Sequence, residues 1–224
     1  MNIWHISDTH GYHDLLRPPD NIDMVIHSGD CGNSRKSITS VKEISNFLNW
    51  FSELPINYKV FVAGNHDTCI EAGLITKEEM GKRGIDYLCN ESVFCGDYKV
   101  WGSPYTPTYN NWSFQKARHK MHNIWELIPD DIDILVTHGP PKGILDLTDR
   151  PDNTLEQCGC IALRKKVMKV KPLLMAFGHI HNCASGLNGG TRKLPAMRTI
   201  FSNGSVVKDN HFGILESNGN FIQI

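Results

Sequence analysis

The 224-residue chain has no run approaching the ~18 consecutive apolar residues of a membrane helix, so no membrane partner is expected. It also lacks an excess of either charge: 23 Lys and Arg stand against 24 Asp and Glu, a net charge of −1. That balance leaves no basic track for long nucleic acids and no basic face for a membrane surface. Cysteine is present but unpatterned. Seven is an odd number, and the spacings fit neither a disulfide framework nor a CxxC…CxxC zinc site. The start, Met1-Asn2-Ile3-Trp4-His5, lacks the basic and apolar regions of a secretory signal, and a reducing cytoplasm is the expected location. Repeats, low-complexity tracts and linkers are missing too. Residues 1–224 therefore read as one domain, and an apolar share of 40% is enough for a sizeable core.

What is present is an alternation of short apolar runs and amphipathic stretches. Strands are expected at 2–7, 23–28, 59–63, 132–137 and 173–177, with shorter pieces within 85–102. Ile44, Phe47, Leu48, Phe51 and Leu54 recur at helical spacing, which predicts a helix over 38–54 ended by Pro55. Further helices are expected near 113–126 and 158–170, and three more strands near 196–202, 211–215 and 220–224. The segment Ser103 to Trp112, rich in proline and aromatics, reads as a loop.

Five polar clusters follow the apolar runs: Asp8-Thr9-His10, Gly29-Asp30, Gly64-Asn65-His66-Asp67, Thr137-His138-Gly139 and Gly178-His179-Ile180-His181. In an open α/β sheet the loops beyond the strand carboxyl ends converge on one crevice. Such a crevice would collect enough oxygen and nitrogen donors for two divalent cations about 3.5–4 Å apart. On an extended segment, period two puts Asp8 and His10 on one side, and likewise His179 and His181. Asp30 can bridge two ions, and Asn65 offers a neutral amide oxygen. Imidazole and carboxylate without thiolate suit Mn, Fe, Zn, Co or Ni, with Mn favoured here and Mg also possible. Such ions would generate a hydroxide nucleophile near neutral pH. His66, beside Asn65 and followed by Asp67, is the expected general acid, because a nearby carboxylate favours a protonated ring.

The ordered blocks D-x-H, G-D, G-N-H-D, x-H-G and G-H-x-H resemble the calcineurin-like metallophosphoesterase superfamily and span Asp8 to His181. The resemblance implies a four-layer α/β/β/α sandwich with two mixed β-sheets, the β-rich tail contributing to the second. It implies one metal on Asp8, His10, Asp30 and His181, and another on Asp30, Asn65, His138 and His179. His66 would act on the leaving group. A narrower likeness, carried by Trp4 to Gly11, Gly102-Ser103-Pro104, Asn111 to Phe114, Ile134 to Pro141, Gly159-Cys160 and Phe177 to His181, is to the metallophosphoesterase-domain-containing group. Its animal members hydrolyse cyclic nucleotides, and some carry glycine where this chain has His181. The resemblance thus implies a complete site and a small phosphodiester substrate, cyclic nucleotides first. A phosphomonoesterase or protein phosphatase, and a non-catalytic nucleotide-binding protein, are the alternatives.

Other residues are weighed singly. Tyr105, Tyr109 and Trp112, with Phe114, could stack a nucleobase or simply pack their own loop. His5, His13, His27, His119, His122 and His211 lack the cluster context and read as structural. Cys158 and Cys160 read as packing at a helix start. Arg150, Arg192 and Arg198 cannot be placed.

Overall fold

The computed structural model describes residues 1–152, 154–183, 187–195, 197–208 and 215–224. In chain order the first strands are β1 (Asn2–Ile6), β2 (Met24–His27), β3 (Tyr58–Phe61) and β4 (Asp86–Tyr87). Next come β5 (Glu91–Cys95), β6 (Tyr98–Ser103), β7 (Thr106–Pro107), β8 (Gln115–Lys116) and β9 (Ile134–Thr137). The remainder are β10 (Leu147–Asp149), β11 (Leu155–Gln157), β12 (Leu174–Phe177), β13 (Gly190–Lys193), β14 (Ile200–Asn203) and β15 (Asn220–Gln223). The helices are α1 (Ser37–Glu53), α2 (Thr68–Glu71), α3 (Lys77–Gly81), α4 (Met121–Trp125) and α5 (Ile161–Val170).

Two mixed sheets form, in the orders β15-β1-β2-β3-β4 and β13-β14-β12-β9-β6-β5. The central pairings of each are parallel; β15 joins the first sheet antiparallel at one edge while β4 is parallel at the other, and β13 and β5 are antiparallel edges of the second. Alternation along the strands explains the layering. Ile3, Met24, Ile26 and Val60 face Val100, Ile134, Val136 and Leu174 in a core between the sheets. The opposite faces of the first sheet, carrying Trp4, Val25 and Phe61, pack on Ile44, Phe47, Leu48 and Phe51 of α1. Trp101, Leu135 and Met175 of the second sheet pack on Met121 and Trp125 of α4 and Leu163 and Val167 of α5. The result is the expected four-layer α/β/β/α sandwich.

Two expectations need correction. The helix near 113–126 is confined to a 3-10 turn at Arg118–Lys120 followed by α4. Its first residues are instead drawn into β8, which pairs with β7, and the Phe114 N–H donates to Glu71 Oε1 at 2.9 Å. The tail is not confined to the second sheet: β13 and β14 join it, whereas β15 returns to pair antiparallel with β1. The strand expected near 211–215, and His211 with it, falls outside the described residues but for Leu215, which forms an isolated bridge with Val207.

Candidate metal centre

Each cluster lies just beyond the carboxyl end of β1, β2, β3, β9 or β12, the central strands of the two sheets. The donors do not lie on extended segments, however. Asp8, His10, Asp30 and His179 have φ of 53, 43, 57 and 69°, so left-handed turns bring them together, in place of the alternation expected for Asp8, His10 and His179. Left-handed backbone costs a non-glycine residue roughly 1–2 kcal/mol, and fixed partners must hold it. Here the Asp8 N–H donates to Gly29 O at 2.8 Å and the His10 N–H to Asp30 O at 3.1 Å. Two glycines are required by close approach. A Cβ at Gly64 would collide with Asp30 and His138, and one at Gly178 with Ser7 and Asp8.

Two donor groups result. Asp8, His10 and His181 each bring a ligand atom within 4.8 Å of the others, as do Asp30, His138 and His179. His181 Nε2 lies 3.3 Å from Asp8 Oδ1 and 3.4 Å from His10 Nε2. His138 Nε2 lies 3.3 Å from Asp30 Oδ2 and 3.0 Å from Asn65 Oδ1, which brings the amide into the second group. The far sides of two rings are tied to the backbone, His10 Nδ1 to Gly32 O at 3.0 Å and His138 Nδ1 to Ser28 O at 2.9 Å. Both rings thereby present Nε2 inward, the arrangement that orients imidazole for a cation. The donor set is hard oxygen and imidazole nitrogen in two adjoining groups, and it fits two divalent cations of the first transition row.

Burial and mutual charge set the protonation here. Burial pushes Asp8 and Asp30 up, but the histidines around them outweigh it, so both carboxyls fall below the usual range. Burial pushes His138 down, yet the Asp30 charge prevails and takes it up to about 9. Burial dominates at His10, lowered to about 4, and at His179, lowered to about 3. The ionised carboxylates and the neutral His10 and His179 rings are forms that bind metal, and His138 would release its proton on binding one.

Residues 65–67 divide their tasks. The His66 N–H donates to Asp30 Oδ1 at 2.7 Å, and its ring Nδ1 sits 3.3 Å from Asn33 O. The expected pairing of Asp67 with His66 is not formed. Asp67 is fully buried, and its Oδ2 accepts from Gly64 N at 2.7 Å and Asp30 N at 3.0 Å. Its Oδ1 accepts from Gly32 N at 3.0 Å and Cys31 Sγ at 3.3 Å. Asp67 ties the two loops carrying Asp30 and Asn65. The neighbour of the His66 ring is Trp112, with centroids 4.2 Å apart, and Arg35 covers the indole at 4.3 Å.

The aromatic segment is thereby split. His10, Asp30, Asn65, His66, Tyr109, Trp112, His179 and His181 line a pocket of about 200 Å³. It adjoins a cleft of about 640 Å³ that shares Tyr109, His179 and His181 and is also lined by Tyr105, Arg118, Lys142 and Arg150. Tyr105 packs edge-on to Phe114. Of the histidines set aside on sequence, His119 and His122 are exposed, whereas His27 is buried against Phe47 and bonds Thr9 Oγ1 at 3.0 Å, between Asp8 and His10. His5 bridges Ser202 at 2.7 Å and Ser28 at 3.0 Å between the sheets. Cys160 caps α5 and accepts from Trp125 Nε1 at 3.3 Å. No isolated sequence signal marked Trp112, Arg35 or Asp67 for these contacts.

Comparison with known proteins agrees with this geometry. Residues 1–183 match the calcineurin-like phosphoesterase family. The chain is 30% identical over 230 residues to Metallophosphoesterase domain-containing protein 1 of Homo sapiens, which covers 92% of this chain and 66% of that protein. It is 34% identical over 201 residues to a UPF0046 protein of Caenorhabditis elegans, covering 79% and 67%. Among solved structures, phosphopantetheinyl hydrolase from Mycobacterium tuberculosis superposes with a TM-score of 0.57 over 92% of this chain and 89% of its own. At 14% identity that is a likeness of fold alone. With all five ligand-bearing loops inside the matched residues, the chain belongs to the calcineurin-like metallophosphoesterase family, close to the metallophosphoesterase-domain-containing proteins.

Proposed function

We propose that the chain is a phosphodiesterase acting on a small diester, with cyclic nucleotides the first candidates, manganese the first metal and the cytoplasm the site of action. The coarser frame is a two-cation donor site on a metallophosphoesterase fold. No described helix is long and apolar enough to cross a membrane. The observation that carries the reading is the lining of the 200 Å³ pocket: eight donor-type or aromatic side chains with His66 among them, Asp30 the one carboxylate, and no lysine or arginine. A monoanionic diester needs no more positive charge than two cations provide, whereas a dianionic monoester usually draws on arginine as well.

When bound, the two cations would polarise the phosphoryl oxygens and lower the pKa of coordinated water. Asp8, His10, Asp30 and His181 would hold one, and Asp30, Asn65, His138 and His179 the other. Hydrolysis breaks the P–O bond to the leaving alcohol, whose oxygen must gain a proton. His66 would supply it, a reading supported by its ring, whose Nδ1 rests on Asn33 O and leaves Nε2 as the nitrogen turned from the backbone. Tyr109 and Trp112 wall the pocket, and Tyr105 the cleft beyond. The test is the metal-reconstituted comparison of bis-p-nitrophenyl phosphate with p-nitrophenyl phosphate. Faster diester turnover is expected; a strong monoester preference would contradict the reading.

A further inference from the structure

The metal pocket is small beside the cleft it opens into, about 200 Å³ against about 640 Å³. Pockets for small organic ligands usually run from roughly 300 to 1,000 Å³, so most of a nucleotide-sized substrate would lie in the cleft. Tyr109, His179 and His181 line both spaces, which makes them continuous.

Positive side chains are absent from the metal pocket and gathered in the cleft. Arg150 is paired there with Glu156 at 3.0 Å. Arg118 and Lys142 have no carboxylate partner within ion-pair distance among the described residues. The Arg118 guanidinium donates to Gly159 O at 3.2 Å and Cys158 O at 3.4 Å, and Lys142 Nζ donates to Gln157 O. Carbonyls of one short segment therefore fix both cations without neutralising them. Asp149 and Glu156 are the carboxylates facing the same space, so three cations stand against two anions in a chain whose net charge is −1.

We propose that Arg118 and Lys142 form a second anion subsite, for a phosphate carried on the unreacting part of the substrate. The inference rests on the phosphodiesterase reading and narrows it. The substrate class becomes a nucleotide diester bearing a further phosphate, in place of a plain cyclic mononucleotide. Guanidinium and ammonium groups both bind phosphate through charge-assisted hydrogen bonds, and carbonyl anchoring holds them ready to do so. If the pair served only to tie down residues 157–159, it would give no discrimination between ligands.

Calorimetric titration of the metal-loaded full chain with adenosine 5′-phosphate and adenosine 3′,5′-bisphosphate tests this. The bisphosphate is expected to bind about tenfold tighter or more, as a charge-assisted contact implies. Arg118→Ala and Lys142→Ala should each bring that advantage below about threefold, and Lys142→Arg should keep it. Equal binding of the two nucleotides by the unaltered protein, or an advantage that survives both alanine variants, overturns the proposal. Turnover of bis-p-nitrophenyl phosphate, measured alongside, separates the two claims. Turnover without a bisphosphate advantage sinks the subsite alone; an advantage without turnover upholds the subsite and sinks the hydrolase reading.

Discussion

At the scale of single residues, the site depends on side chains that never touch a ligand as much as on those that would. Asp67 accepts four hydrogen bonds from the loops that carry Asp30 and Asn65. Asp67→Ala would leave buried N–H donors without partners at about 1–3 kcal/mol each. We expect a lowered Tm and roughly 10–100-fold weaker metal affinity, the usual consequence of losing a group that orients ligands; unchanged metal affinity would contradict this role. Trp112 lies against the His66 ring, and its expected effect depends on the leaving group. A sugar alkoxide needs a proton as it departs and p-nitrophenolate does not. His66→Ala should slow cyclic-nucleotide turnover by about 10²–10⁴-fold, the range for loss of a general acid. Trp112→Ala should follow it more weakly, with both variants much closer to normal on bis-p-nitrophenyl phosphate. Equal losses on the two substrates would show that neither residue serves the leaving group. The seven donors could be picked from the sequence because each closes an apolar run. Asp67 was misjudged because adjacency in sequence does not say which way a buried carboxylate points.

At the scale of elements, the central strands were legible because strands buried on both faces read as near-continuous apolar runs. The α1 helix was legible from its spacing, and its apolar face does cover the first sheet. The short pairs β7·β8 and β10·β11 were not legible. They are two or three residues long, partly polar, and held by contacts that only the folded chain supplies. The same cause shortened the helix expected near 113–126, where pairing with β7 competes with helical propensity. Convergence beyond the strand ends held, but alternation along an extended segment did not, since Asp8, His10 and His179 sit in left-handed turns whose cost the surrounding loops absorb. Phe47 is the keystone of α1, stacked on Phe51 at 5.2 Å and tilted on His27 at 4.5 Å. Phe47→Ala should destabilise the fold by about 3–5 kcal/mol, as for buried aromatics generally. Because His27 holds Thr9, metal affinity should fall as well. Chemical denaturation with and without metal measures both, and a loss under about 1 kcal/mol would mean that α1 does not anchor the first sheet.

At the scale of the whole molecule, two fully buried histidines couple the sandwich to pH. Burial lowers His5 and His27 to about 3 in the folded chain, against an ordinary value near 6.5. Between those values the unfolded chain binds protons that the folded one does not, so stability falls as pH drops from about 6.5 toward 3. The slope is up to about 1.4 kcal/mol per pH unit for each histidine. His5→Gln, which keeps hydrogen-bonding capacity between Ser28 and Ser202, should flatten the dependence; an unchanged slope would show that His5 titrates normally. The centre that joins the sheets is the molecule's principal claim, and His181, 3.3 Å from Asp8, completes its donor set. The most direct test is the number of divalent cations bound per chain at saturation, by elemental analysis after exhaustive removal of free metal. Two per chain is the expected result, and one or none would contradict a complete dinuclear centre.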